Sequence, residues 1–247
     1  MEVHAAQGAA LIAVDGLEKS FGVPVIDHLS FAVEPGEAVG IVGPNGAGKT
    51  TLLNLIAGEL TPDKGRILFE GQDITHVRPD VRARAGIART AQIPRPFEGL
   101  TVFENVLVGA TFGSTESRRA STERAVAALE QAGMIDKANL SAASLGLLDR
   151  KRLELARALG TSPKVLLLDE IAGGLTEAEV HQLIDKIREI HASGVTIVWI
   201  EHIVHALLAV VGRIMAMSFG RKIAEGEPRE VMASAAVREV YLGVGEE

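Results

Sequence analysis

The sequence predicts an α/β fold with a parallel core sheet, a small antiparallel sheet beside it, and a helical subdomain inserted in the core. Three observations carry this. The stretch GPNGAGKTT, Gly43 to Thr51, fits G-x-x-x-x-G-K-[ST], a phosphate-binding loop, and sits between strand-like EAVGIV and helix-like TTLLNLIAG. VLLLDE, Val165 to Glu170, is an apolar run ending in two carboxylates, as befits a central parallel strand buried on both faces. Between them, from Phe97 to about Leu159, the chain takes on mostly helical spacing. The expectation is an α/β P-loop NTPase core, residues 1–94 and 158–247, with a side antiparallel β-sheet and a helical subdomain at residues 95–157.

Each element has its own signal. Residues 1–9 read as a loose leader. LIAV and DHLSFAV are short strands, and a Pro35-Gly36 turn leads into the strand before the phosphate loop. The loop helix stops at Gly58, and GRILFEGQDI forms another strand or hairpin. TVFE, Thr101 to Glu104, is a capping box opening VFENVLVGA, and ESRRASTERAVAALEQAG is a helix stopped by Gly133. KVLLLDE, a helix from Glu177 to about Ala192, and VTIVWIEH restore the strand–helix alternation. RIMAMSF and RKIAEG form a hairpin turning near Gly220, followed by a final helix.

Composition narrows the function. The 247 residues include no cysteine, which excludes a disulfide framework and a thiolate metal site. A net charge of −7 argues against a nucleic-acid partner, which needs a basic face. The most apolar long stretch, residues 195–219, is broken by Glu201, His202, His205, Gly212 and Arg213, so no membrane span is expected and the protein reads as soluble.

The chemistry follows from the two motifs. The glycines of Gly43, Pro44, Asn45, Gly46, Ala47, Gly48, Lys49, Thr50 and Thr51 let backbone N–H groups close around phosphates at a helix N-terminus. Lys49 reaches the β- and γ-phosphates, and the Thr50 hydroxyl ligates Mg²⁺. Asp169, at the carboxyl end of its strand, holds the Mg²⁺ directly or through water, and Glu170 polarises the attacking water as general base.

At these residues the chain resembles the ATP-binding subunit of an ABC transporter, from about Leu11 to Gly243. It is most similar to the ATPases of branched-chain amino acid importers. GIARTAQ, Gly86 to Gln92, resembles their GIARTFQ; FEGLTVFENVLVG their FREMTVLENLLVG; and RLELARAL their RLEIARAL. WIEH and the ending VREVYLG match as well. The resemblance implies ATP hydrolysis that powers transport, with ATP and Mg²⁺ as cofactors. Phe21 in KSFG falls where the family stacks an aromatic on adenine; a core aromatic at a strand end is the other reading. Gln92 matches the glutamine that contacts Mg²⁺ or the attacking water, and His202 the histidine that contacts the γ-phosphate. His205 and Trp199 read as surface helix and core packing.

The same resemblance implies membrane permease subunits as partners, an extracytoplasmic binding protein met only indirectly, and a cytoplasmic, peripheral location on the inner face of the cell membrane. Phe97 and its neighbours are expected on the permease-docking surface. A non-transport ATPase of the same superfamily, or a regulatory ATP-binding module, is the alternative. Two departures stand out. Where relatives carry a serine–glycine–glycine–glutamine signature, this chain reads LGLLD, placing Gly146 at the serine, Leu148 at the second glycine and Asp149 at the glutamine. Asp149 is expected to cap the next helix. In GGLTEAE, Thr176 stands where the family has Asp or Asn, and forms a capping box with Glu179. With its signature altered, the chain is expected to pair with a second ATPase subunit, pairing with itself being the alternative.

Overall fold

The computed structural model describes residues 10–113 and 117–242; the expected leader at 1–9 lies outside them. Strands β1 (Ile12–Ser20) and β2 (Pro24–Val33) form a hairpin, and β3 (Ala38–Val42) runs into the phosphate loop. Helix α1 (Lys49–Ala57) follows, then β4 (Lys64–Phe69) and β5 (Gln72–Asp73), helix α2 (Pro79–Ala85) and the short β6 (Ile87–Arg89). Next come α3 (Val102–Phe112), α4 (Arg118–Gln131) and α5 (Leu147–Leu159). The chain then alternates through β7 (Val165–Asp169), α6 (Glu177–Ala192), β8 (Thr196–Ile200) and α7 (Val204–Leu208). It finishes with hairpin β9 (Arg213–Ser218) and β10 (Arg221–Gly226), then α8 (Pro228–Ala233) and α9 (Ala235–Leu242).

Two sheets result. The antiparallel one has the order β2-β1-β4-β5 and the core sheet the order β10-β9-β3-β8-β7-β6. In the core sheet β9, β3, β8, β7 and β6 are parallel, and β10 is an antiparallel edge. The apolar runs of β3, β7 and β8 are buried along their whole length, which is why they show no alternation in sequence. Successive side chains nonetheless go to opposite faces. Val165, Leu167, Val198, Ile200, Met215 and Met217 join the antiparallel sheet and α1 in one apolar cluster. Leu166, Leu168, Ile197, Trp199, Ile214 and Ala216 join α3 to α6 in the other.

Both expected capping boxes are present. Glu104 N–H donates to Thr101 Oγ1 at 3.2 Å while Thr101 N–H donates to Glu104 Oε2 at 2.8 Å; Thr176 and Glu179 do the same ahead of α6. Helix α5 departs from expectation. Gly146 occupies the N-cap, without a side chain to cap, and Asp149 lies inside the first turn. The Asp149 carboxylate turns to Lys137 Nζ, 2.7 Å away, which makes it an ion-pair partner instead of a cap. The single final helix expected is two short ones, because Ser234 takes an extended conformation between them.

Candidate functional site

The parallel strands β3, β7 and β8 end together, and their carboxyl ends carry the phosphate loop, Asp169–Glu170 and His202 respectively. The loop is packed too tightly for side chains at two positions. A Cβ on Gly43 would lie 2.3 Å from the Met217 carbonyl oxygen, and one on Gly48 2.5 Å from that of Val25. Lys49, only 5% exposed, spans the loop from inside: its Nζ donates to the carbonyls of Gly43 at 2.7 Å and Pro44 at 3.0 Å. Burial draws its ammonium below the ordinary lysine value, and the carboxylates of Glu170 and Asp169 work the other way. Val25, Asn45 to Thr51 and Glu170 line a cleft of about 290 Å³.

The carboxylates are placed differently. Asp169 is fully buried; its Oδ1 lies 3.4 Å from the Thr50 hydroxyl and its Oδ2 accepts from Arg89 Nη2 at 2.8 Å. Glu170 has a positive φ of 46°, a strained conformation for a residue with a side chain. Its carboxylate is held at both ends: Oε2 accepts from Gln92 Nε2 at 2.5 Å, and Oε1 meets His202 Nε2 at 2.8 Å. Gln92, Glu170 and His202, separated by up to 110 positions in sequence, are thus one hydrogen-bonded group.

Phe21 is 56% exposed in the β1–β2 turn with Lys19 Nζ 5.5 Å from its ring centre, so it is not a core aromatic. It lies outside the cleft lining, four residues before Val25, which is part of it. Trp199 is fully buried and His205 exposed on α7. Phe97 is half-exposed, its ring face covered by the Arg157 guanidinium at 4.8 Å, and it lies outside the lining of the large groove between α2 and the α3–α5 pair. That groove, about 490 Å³, is lined by residues such as Ala83, Ile87, Val108 and the exposed Phe112.

Three residues escaped the reading of the sequence. Val25 forms part of the cleft wall, Arg89 pairs with Asp169, and Glu201 is a buried carboxylate. Glu201 Oε2 accepts from Ala172 N–H and Oε1 from His202 N–H, both at 3.0 Å, so it ties the chain after Glu170 to the chain carrying His202. Burial pushes its carboxyl above the ordinary glutamate value, against the pull of those backbone N–H groups. Its place in WIEH is a visible signal: a carboxylate directly after a buried strand.

The ABC transporter family pattern matches residues 26–173, spanning the phosphate loop, Gln92 and Glu170. This chain belongs to the ABC transporter family. A second pattern, described as branched-chain amino acid ATP-binding cassette transporter, matches residues 221–247. The cassette is 35% identical to the high-affinity branched-chain amino acid transport ATP-binding protein LivG of Escherichia coli K12, over 94% of this chain and 98% of the relative. It is 33% identical to a probable LivG of Methanocaldococcus jannaschii over 94% and 97%. Among solved structures it superposes on a nucleotide-free ATP-binding cassette from an ABC transporter with a TM-score of 0.86 and 31% identity, covering 96% of this chain and 100% of that one. An ADP-bound cassette of an ABC transporter gives 0.86 and 32%, covering 95% and 99%. ATP-binding subunits of this family are ATPases that power transport together with membrane permeases, and this cassette is one of them. No helix among the described residues is long and apolar enough to cross a membrane.

Proposed function

We propose that the cassette hydrolyses ATP held on Gly43–Thr51 to drive an importer of branched-chain or related amino acids. The observation that carries the reading is the convergence of Gln92 and His202 on the Glu170 carboxylate, beside the buried Lys49. Glu170 accepts the proton of a water as its oxygen bonds to the γ-phosphorus. The bond to the bridging oxygen breaks, and ADP leaves with the electron pair. Lys49 and the loop N–H groups neutralise the phosphates, His202 contacts the γ-phosphate, Gln92 orients the water, and Phe21 stacks on adenine.

The residues present suit Mg²⁺. The Thr50 hydroxyl and the Asp169 carboxylate, 3.4 Å apart at the foot of the loop, are hard oxygen donors, with Gln92 able to add a third oxygen. When bound, the ion supplies charge neutralisation on the phosphate oxygens. The helices of residues 95–157 form the subdomain that carries the signature. Their groove against α2 receives the permease, holding the cassette on the inner, cytoplasmic face of the membrane. The extracytoplasmic binding protein acts through the permease alone, and no nucleic acid takes part.

The test is co-purification with the permease, followed by ATPase assay in liposomes with a panel of amino-acid-loaded binding proteins. Stimulation by branched-chain-loaded proteins, abolished by Glu170→Gln with ATP binding retained, is the expected result. Wild-type turnover in Glu170→Gln removes the assignment of the base, and stimulation by an unrelated substrate removes the importer class.

A further inference from the structure

Arg89 joins the nucleotide site to the surface groove through one guanidinium. On the inner side its Nη2 donates to Asp169 Oδ2 at 2.8 Å. On the outer side its Nη1 donates to Glu59 Oε2 at 2.9 Å and to Asn54 Oδ1 on α1. Its Nε is buried without an acceptor. The side chain is 15% exposed, and it lines both the 490 Å³ groove and a neighbouring cleft of about 410 Å³ beside Gln92.

A fully buried carboxylate is costly unless paired, and Arg89 is the cation that pairs with Asp169. A planar guanidinium also fixes orientation, because its donors lie in one rigid fork. With Oδ2 tied to Arg89, the other oxygen is turned to Thr50, the side on which a cation would sit. Asn54 and Glu59 in turn hold the guanidinium from α1 and the segment after it. The acceptors come from three different stretches of chain, so the guanidinium ties β6 to β7, to α1 and to the segment after it.

We infer that Arg89 is a positioning residue: it orients the Asp169 carboxylate toward the cation held with the nucleotide, and it carries that orientation to the floor of the groove. The inference rests on the reading of Asp169 as the cation-holding carboxylate. It also gives the groove a route to the nucleotide site separate from Gln92.

The test is nucleotide binding by the full-length chain, read as the Mg²⁺ concentration that gives half-maximal gain in ATP affinity, with ATP binding in EDTA as reference. Arg89→Met is expected to raise the Mg²⁺ requirement about tenfold or more, the scale of one lost charge-assisted hydrogen bond. Binding in EDTA should stay within about twofold, since the loop contacts are untouched. Arg89→Lys, which keeps the charge without the fork, should fall between and serves where the methionine variant does not fold. A wild-type Mg²⁺ requirement in both variants, while Asp169→Asn raises it, overturns the role of Arg89 alone. An unchanged requirement in Asp169→Asn overturns the reading of Asp169 and the inference with it.

Discussion

Phe21 and Glu37 show how much a single side chain's surroundings decide. Phe21 is an aromatic left open to solvent at the turn leading to Val25, so its ring is available as a platform for a base. Phe21→Ala is expected to weaken ATP binding about tenfold, within the range of base stacking on an aromatic, while Phe21→Tyr retains affinity; fluorescent-nucleotide titration checks both. Glu37 sits beside Arg213, accepting at 2.6 and 2.8 Å from Nε and Nη2. Burial works to raise its carboxyl, but the Arg213 hydrogen bonds and a backbone N–H outweigh burial and hold it below the ordinary glutamate value. The unfolded chain therefore takes up this proton before the folded one does, and the bridge's contribution, present at neutral pH, fades in acid. Glu37→Gln is expected to cost about 2 kcal/mol at neutral pH, with the gap to wild type closing as pH falls below the folded-state value; urea unfolding across pH measures it. Short motifs pointed to Lys49, at the head of α1, and to Asp169 and Glu170, at the end of β7, whereas His202 was reached through the family resemblance. Arg89 and Val25 were not legible, since what gives each meaning is a contact made across the fold: Asp169 is 80 residues from Arg89.

Elements were legible where a local rule fixes them. The capping boxes at Thr101 and Thr176 close within four residues, so sequence spacing is enough. Thr176→Ala removes one such cap and is expected to cost about 1 kcal/mol, read by thermal unfolding. The head of α5 was misjudged because the capping residue depends on where the preceding chain straightens, and it straightens at Gly146, three residues before Asp149. Lys137 then offers Asp149 a better partner than the helix end. With the acid so engaged, the helix head has lost a hydroxyl without gaining a free negative charge. Gly146→Ser should therefore change stability by only a few tenths of a kcal/mol, as a Ser-for-Gly cap exchange does. It is expected to raise ATP turnover at whichever site α5 faces in a dimer. Unchanged turnover in a steady-state assay would show that backbone donors at this helix head suffice.

For the whole molecule, the altered LGLLD segment and the intact Glu170 group sit on one chain but are expected to serve different nucleotides in a head-to-tail pair. With a second ATPase bearing a complete signature, one sound site forms on this chain's loop and one impaired site on the partner's. Glu170→Gln should then abolish most ATPase activity of the reconstituted pair, while the matching change in the partner costs far less; equal losses would exclude the asymmetry. The alternation of β7 between two apolar clusters bears on the same site. Val165 and Leu167 face the α1 side, Leu166 and Leu168 the helical side, and Asp169 falls on the parity of α1, where Thr50 and Arg89 wait. The division of labour between the two acids is thus a matter of odd and even. Deleting any one of the four aliphatic residues before Asp169 would leave the three that remain all apolar, yet advance the count by one. It would hand the place of Asp169 to Glu170, leaving the water without its base.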